Sequence, residues 1–168
     1  GGNGYLVVPA KVLYAADYGV PQSRERVIFF GFRRDALNPG IEEQLMNENI
    51  APEYDPYPAP THKNYVTCSD VLSDLEEPEN TNDLSQRSFS GAKYMGKHCQ
   101  GQTEIKLDSV APTIRSEHHG NIEYRRLSEE HGGQHTDELK RGLQERRLTV
   151  RECARIQTFP DDYQFVIP

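Results

Sequence analysis

The sequence predicts a mixed α and β fold that begins with short strands and ends with a helix. Residues 5–8 form a short apolar run typical of a strand, and residues 11–15 form a second short element. Residues 27–32 form a nearly continuous apolar strand of the kind found in a sheet covered on both faces. Between these strands and the C-terminal helix, prolines and glycines favour irregular structure.

The C-terminal helix is predicted to start at Val150 and to end near Thr158. Thr149 and Glu152 have the spacing of a capping box, so the hydroxyl can cap the Glu152 amide while the carboxylate reaches back. One helical face collects four residues: Val150, Cys153, Ala154 and Gln157. Cys153 on a packed face favours a small core residue over a nucleophile.

The composition points to a piece that packs against something larger. A chain of 168 residues is about one domain, yet its hydrophobic fraction of 35% is low for a compact core. No apolar run approaches the roughly eighteen residues of a membrane span, so no membrane is expected as a partner. Three scattered cysteines do not form a disulfide framework, so a reducing cytoplasm is the expected compartment.

The net charge of −7 argues against nucleic-acid binding only if the chain is taken whole. Residues 39–83 hold one lysine against eleven acidic residues, whereas residues 1–38 hold five basic and three acidic ones. Attraction to phosphate needs a local basic patch rather than a basic total. The acidic segment is therefore expected to face away from nucleic acid.

The most informative stretch is residues 21–32, a turn signal followed by a polar triplet and an apolar strand. Gln22, Arg24 and Arg26 recur at period two, so an extended backbone places them on one face. Two guanidiniums and an amide form a planar array of donors suited to phosphate oxygens or to the carbonyl edge of a base. The alternative for this stretch alone is an ordinary edge strand with solvated arginines.

A second dense motif spans residues 147–161. Together with residues 16–26 it resembles the cytosine-C5 DNA methyltransferases: residues 16–26 look like that family's eighth conserved motif, and residues 147–161 like its ninth. That family carries a variable target recognition region between them, which commonly ends in a Thr-Leu-like pair, and Thr113–Ile114 stands where that pair would. The resemblance implies strands from the catalytic α/β sheet leading into an irregular, β-containing target recognition lobe, with a C-terminal helix.

The resemblance also implies a division of the chain into three parts. Residues 1–38 would be C-terminal strands of the catalytic domain with the QxRxR motif. Residues 39–145 would be the target recognition region, and residues 146–168 the motif-nine helix and return segment. Double-stranded DNA and the remainder of the catalytic domain are the implied partners.

Two motifs of the family are not found in this sequence. One is the Phe-x-Gly-x-Gly loop that holds the methyl donor, S-adenosylmethionine, and the other is the Pro-Cys nucleophile loop. None of the three cysteines follows a proline. The chain is therefore interpreted as a C-terminal portion that is inactive alone, with no cofactor-binding residue of its own.

The resemblance assigns catalytic roles to three residues. Arg26 would bind O2 of the extruded cytosine. Arg24 would hold the adjacent phosphate or help order the catalytic loop, and Gln22 would support the pair.

The predicted DNA-binding residues lie in a glycine-rich loop and at the Thr-Leu-like landmark: Gln100, Gly101, Gln102, Thr113, Ile114 and Arg115. Gln100 and Gln102 can read adenine edges or fill the gap left by a flipped base, and Arg115 suits a guanine edge or a phosphate. A flexible surface loop is the alternative for the glycine-rich segment. The pairs at residues 125–126 and 146–147 are either solvated arginines or clamps on the DNA backbone.

No metal site is predicted. The histidines at positions 131 and 135 are separated by two glycines that disfavour a helix, and no Cys-x-x-Cys pair supports zinc. Glu152 and Arg155 of the helix are expected to be structural.

The leading hypothesis is the DNA-recognition and partial catalytic portion of a DNA (cytosine-5-)-methyltransferase from a bacterial restriction–modification system. A non-catalytic DNA-binding or interaction module of the same ancestry is one alternative. One subunit of a split methyltransferase is another. The target sequence cannot be read from these residues.

Overall fold

The computed structural model describes residues 4–91, 103–115, 122–126, 133 and 136–166. Its helices are α1 (Ile41–Leu45), α2 (Cys68–Leu72), α3 (Leu84–Arg87), α4 (Thr136–Lys140) and α5 (Val150–Ile156). Its strands are β1 (Tyr5–Val7), β2 (Lys11–Tyr14), β3 (Glu25–Ile28), β4 (Gly31–Arg33), β5 (Thr103–Glu104), β6 (Ile122–Arg125) and β7 (Arg146–Arg147). The mixed α and β fold predicted from the sequence is confirmed.

Two antiparallel ribbons form the N-terminal part of the protein. Strand β1 pairs with β4, and β2 pairs with β3. Their inward side chains, with α1 and the loop after it, form the N-terminal core, whose buried members are Leu6, Val8, Leu45 and Tyr57. Tyr57 is anchored by its hydroxyl, which lies 2.9 Å from the Pro9 carbonyl oxygen and 3.0 Å from the Ile28 carbonyl oxygen and shares its single proton between them.

The predicted single strand over residues 27–32 is corrected to two strands, and the described part of this chain covers only one of their faces. The chain leaves β3 after Ile28 and enters β4 at Gly31, while the Val8 amide donates to the Phe30 carbonyl at 2.9 Å. Side chains still alternate through the break, so Ile28 and Phe30 pack on the N-terminal core whereas Phe29 is 67% exposed.

The other face of both ribbons is apolar and open in this chain. We call it the exposed apolar face; its members are Tyr5, Val7, Val12, Val27 and Phe29. Val12 lies opposite Val27 in the register of β2 and β3, and opposite residues share a face of the pair. These side chains are 54–67% exposed.

The link after α1 contains no helix or strand between residues 50 and 66, as its prolines predict. Two members of the N-terminal core, Leu45 and Tyr57, lie beyond the predicted domain boundary at residue 38. The three-part division stays a prediction.

A second cluster, the C-terminal core, lies beneath α2, α5 and the sheet of order β5-β6-β7. Its buried members are Cys68, Leu72, Ile105, Ala111, Ile122, Leu148 and Ile156. The sequence predicts a short capped helix over residues 69–75, and α2 begins one residue before it. Thr67 caps α2: its hydroxyl accepts from the Asp70 amide while Asp70 reaches back.

Helix α5 forms as its sequence predicts. The Thr149 hydroxyl accepts from the Glu152 amide at 3.0 Å, and the Glu152 carboxylate accepts from the Thr149 amide at 2.8 Å. Cys153 packs against the C-terminal core, and burial raises the pKa of its thiol to about 12. A thiol held in this protonated state is a core residue rather than a nucleophile.

The paired arginines of β6 and β7 are neither solvated nor available as clamps. Arg125 and Arg146 are 1% and 6% exposed, and both bind Glu77. Arg146 also places two nitrogens 2.8 Å from the Glu152 carboxylate. Arg126 and Arg147, 8% and 3% exposed, pair with the buried Glu123. Burial of charge is tolerated here because each guanidinium meets a carboxylate.

The polar sequence of residues 76–86 predicts a mobile segment, but this stretch is held in place by its polar side chains. Glu77 bridges Arg125 and Arg146, and buried Gln86 accepts from the Thr149 hydroxyl at 2.7 Å. Sequence polarity was misleading because these groups find partners far along the chain.

Helices in the described part of the chain are short. The longest, α5, has seven residues, and none of the described helices is long and apolar enough to span a bilayer.

Replacing Glu77 with glutamine should lower stability at neutral pH and flatten its pH dependence in acid. Burial by itself raises the pKa of Glu77, but Arg125 and Arg146 outweigh it and hold that pKa below its ordinary value of 4.5. Such a carboxylate stabilises fully above its ordinary pKa and loses this contribution as pH falls through the folded-state value. Urea unfolding should show a loss of about 1–3 kcal/mol near neutrality, shrinking as the pH falls below 4.5.

The exposed Glu79 provides the matched control. Glu79→Gln should leave unfolding unchanged at every pH. Equal acid slopes for the native protein and Glu77→Gln would contradict the assignment.

Candidate functional site

The QxRxR stretch is preceded by a tight turn that only glycine can complete. A 3₁₀ turn over Ala15–Tyr18 ends at Gly19, whose φ of +83° lies in the left-handed region. A side-chain carbon at Gly19 would come within 2.6 Å of the His62 ring. Both the backbone conformation and the close approach therefore require glycine.

Residues 61–65 hold this turn from the outside. The Asp17 carbonyl accepts from the amides of Thr61 at 2.9 Å and His62 at 3.0 Å. The Tyr65 hydroxyl donates to the Asp17 carboxylate at 3.1 Å, and that bond raises the pKa of Tyr65. These contacts have no local sequence signal, since they join segments more than forty residues apart.

Gln22 is buried and lies outside β3. It forms a parallel bridge with Ala111, in which the Ser23 amide donates to the Ala111 carbonyl at 2.7 Å and the Ala111 amide donates to the Pro21 carbonyl at 2.9 Å. The Gln22 side-chain nitrogen has no hydrogen-bond partner within the described ranges. The predicted continuous extended triplet is thus divided: Gln22 sits on the bridge, and β3 begins three residues later.

Arg24 and Arg26 follow at the start of the ribbon. Arg24 is half-buried, and its carbonyl accepts from the Ala15 amide at 2.8 Å. Arg26 is exposed opposite Leu13 in β2, and one of its nitrogens donates to the Glu25 carbonyl at 2.6 Å. Arg26 shares its face with Ile28, so it points away from the exposed apolar face.

These two guanidiniums differ from most other described arginines because no described carboxylate pairs with them. In the N-terminal part of the protein, Arg33 pairs with Asp35 at 2.9 Å, and Arg34 pairs with Glu42. Two more arginines on α5, Arg151 and Arg155, pair with Asp83 and Asp74 respectively. Arg24 and Arg26 thus keep donors available for an external anion or carbonyl.

The Thr-Leu-like landmark is brought directly to this stretch. The Thr113 hydroxyl donates to the Ser23 carbonyl. Ile114 packs against the C-terminal core, and Arg115 is exposed. Since a chain extends by at most about 3.6 Å per residue, the backbone of Arg115 lies within about 7 Å of that of Thr113.

Some predicted residues lie outside the described part of the chain. These are Gln100, Gly101 and Gln102, together with the histidines at positions 131 and 135. The described residues contain no cluster of potential metal ligands. The predicted roles of all these residues stay predictions.

The arrangement combines two open guanidiniums with a backbone bridge between distant segments. Guanidiniums can bind phosphate or stabilise negative charge that develops on a carbonyl oxygen. Arg24 and Arg26 do not suit the positive sulfonium of S-adenosylmethionine, which is the group that donates the methyl. The chemistry of the site is that of an anion or carbonyl group.

Comparison with known protein families finds a match over nearly the whole chain. The family model described as C-5 cytosine-specific DNA methylase matches residues 2–168. The match therefore includes the QxRxR stretch, the bridge to Ala111 and helix α5.

Curated relatives carry methyltransferase names. Type II methyltransferase M.BbvI of Brevibacillus brevis is 28% identical over 99% of this chain and 43% of its own length. Type II methyltransferase M.MthTI of Methanothermobacter thermautotrophicus is 30% identical over 94% of this chain and 47% of its own length. Type II methyltransferase M.BspRI of Lysinibacillus sphaericus is 33% identical over 98% of this chain and 35% of its own length.

The chain thus spans less than half the length of these relatives. The family model nevertheless covers nearly all of it. The protein belongs to the C-5 cytosine-specific DNA methylase family.

Proposed function

We propose that this chain forms the DNA-recognition portion and part of the catalytic portion of a DNA (cytosine-5-)-methyltransferase. The observation that carries the proposal is the pair Arg24 and Arg26, which keep open donors beside a bridge to the Thr113 segment. The family match supports the class of reaction.

Arg26 would act on charge that appears during the reaction. Cytosine C5 is too weakly nucleophilic to take a methyl group, so a thiolate first attacks C6 and pushes electron density toward C5, O2 and N3. A guanidinium at O2 stabilises that charge and lowers the barrier. The exposed position of Arg26, with one bond to the Glu25 carbonyl, leaves further donors for this contact.

Arg24 and Gln22 would prepare the site. Arg24 holds the phosphate next to the extruded base or orders the catalytic loop. Extrusion itself costs about a few kcal/mol, which contacts of this kind offset. Gln22 supports the pair from its buried position on the bridge.

Recognition of the duplex would fall to the landmark and to the glycine-rich loop. Thr113, Ile114 and Arg115 stand at the landmark, and only Arg115 of the three is exposed. Its guanidinium suits a guanine edge in the major groove. Gln100, Gly101 and Gln102 are proposed to contact DNA from the glycine-rich loop.

The exposed apolar face would pack against the remainder of the catalytic domain. Five apolar side chains more than half exposed on one face of two ribbons are costly to leave in water. Arg26 lies on the opposite face of the ribbon, so a domain that packs on the exposed apolar face leaves the Arg26 guanidinium accessible. S-adenosylmethionine would be held by that domain.

The setting we propose is a bacterial restriction–modification system in the cytoplasm. The Type II names of the relatives and the single compact region between the two motifs support this setting. A short DNA target would fit one such region.

The isolated chain should not methylate DNA. Burial raises the pKa of Cys68 to about 11 and that of Cys153 to about 12, so neither supplies a thiolate at neutral pH. Cys99 does not follow a proline as the family nucleophile does. Incubation with labelled S-adenosylmethionine and a cytosine-containing duplex should give no incorporation; methyl transfer by the pure chain would reject this prediction.

In the complete enzyme, Arg26→Ala should lower methyl transfer much more than DNA affinity. The reason is that the contact forms mainly after attack on C6, and loss of one such donor costs on the order of 10²-fold in turnover. Single-turnover kinetics and equilibrium binding to the target duplex measure the two effects separately.

Arg33→Ala is the matched control, because Arg33 also lies in the N-terminal ribbons but its guanidinium is paired with Asp35. It should leave turnover unchanged. If Arg26→Ala reduced turnover and affinity by the same factor, Arg26 would be a uniform phosphate contact instead.

Arg115→Ala should change which DNA sequence the complete enzyme prefers. An arginine–guanine contact discriminates between bases by about 1–3 kcal/mol. In competition binding, the variant enzyme should lose that much of its preference for the target over duplexes changed at one base pair. The exposed Arg141 is the control, and its removal should be neutral or weaken all duplexes alike. Uniform weakening by Arg115→Ala would exclude base readout by this residue.

Arg147, which sequence reasoning treated as a possible phosphate contact, is unsuitable as the control because it is buried and paired with Glu123.

A further inference from the structure

The two cores of the protein meet in a short backbone contact that joins the QxRxR stretch to the recognition landmark. Ser23 uses both of its backbone groups there: its amide donates to the Ala111 carbonyl at 2.7 Å, and its carbonyl accepts from the Thr113 hydroxyl. Ala111 is fully buried in the C-terminal core, so this side of the contact is anchored.

Arg24 lies between this contact and the sheet. The Ser23 carbonyl belongs to the peptide group that leads into Arg24, and the Arg24 carbonyl is itself held by the Ala15 amide at 2.8 Å. The backbone of Arg24 is thus fixed on one side by the landmark and on the other by the turn before β3. A shift of the landmark therefore reaches Arg24 through one peptide group.

The hydroxyl of Thr113 is the only side-chain group in this connection, since the other described bonds of the bridge are between backbone atoms. The neighbouring Gln22 does not substitute for it, because its buried side-chain nitrogen has no hydrogen-bond partner among the described residues. One side-chain bond thus supplements the backbone bridge next to the two open guanidiniums.

We propose that Thr113 is a positioning residue for Arg24. Its bond to Ser23 couples the position of the recognition segment to the geometry of the QxRxR stretch. The proposal rests on the proposed function and assigns Thr113 to that coupling in place of a direct contact with DNA. A hydroxyl that donates to the Ser23 carbonyl has used its only proton there. Correct seating of the recognition segment would then align Arg24.

The test uses the complete enzyme with Thr113→Val, which keeps the shape of the side chain and removes the hydroxyl. Single-turnover methyl transfer should slow on the order of tenfold, as expected for the loss of one hydrogen bond. The dissociation constant for the target duplex should change less than twofold, on the order of measurement scatter. Thr113→Ser retains the donor and should restore most of the rate.

A double variant separates coupling from general damage to the fold. If Thr113 acts through Arg24, then Thr113→Val should slow the Arg24→Ala enzyme no further, because the group that it positions is gone. Thr113→Ala repeats the comparison with a side chain that cannot clash, should the valine variant fold poorly. Independent, multiplicative losses in the double variant would overturn the proposal.

Two further results would overturn it for different reasons. Weaker DNA binding at an unchanged methylation rate would make Thr113 a DNA contact and would leave the proposed function intact. Unchanged turnover in both Arg24→Ala and Arg26→Ala would reject the proposed function and this inference together.

Discussion

The buried carboxylate of Glu152 joins helix, sheet and loop in the C-terminal half of this protein. It accepts from the Thr149 amide at 2.8 Å and closes the cap of α5, and it receives two bonds from Arg146 at 2.8 Å. Arg146 lies 4.0 Å from the Tyr124 ring centre and also reaches Glu77. Removing one member of a buried pair leaves an uncompensated charge and costs about 3–5 kcal/mol. The packing around the C-terminal core therefore depends on this group.

The same rule explains which arginines are free to act on a ligand. Desolvation forces the guanidiniums of β6 and β7 to meet carboxylates, and those pairs are internal to the fold. Arg24 and Arg26 sit at the start of an open ribbon, where no described carboxylate approaches them. Chemistry at the site thus follows from where the fold leaves positive charge uncompensated, and the net charge of the chain says little about it.

The N-terminal ribbons combine a packed face with an exposed apolar one. Their inward residues reach Tyr57 and α1, whereas Val27 and Phe29 remain open. Together with the bridge from Ser23 to Ala111, this places the QxRxR stretch between two surfaces: one that we propose packs on the rest of the catalytic domain, and one fixed to the recognition landmark. A small movement of either surface would therefore change the position of Arg24.

Local sequence determined helix α5 almost completely. Thr149 and Glu152 are three residues apart, and a capping box needs only that spacing, so the start of the helix could be predicted without the fold. The strand near the N-terminus was predictable for the same reason, since a short apolar run such as residues 5–8 is a local feature. The two motifs also allowed the family to be predicted, and the family model confirms it.

Tertiary structure alone decided how the polar residues are used. In the sequence, Arg125 and Arg146 resemble surface residues. In the fold, Glu77, far earlier in the chain, places its carboxylate between them. The bond from Thr113 to Ser23 spans ninety residues and has no sequence signature. Periodicity and capping report on neighbours in the chain, whereas the partner of a buried charge or hydroxyl is set by which distant segments the two cores bring together.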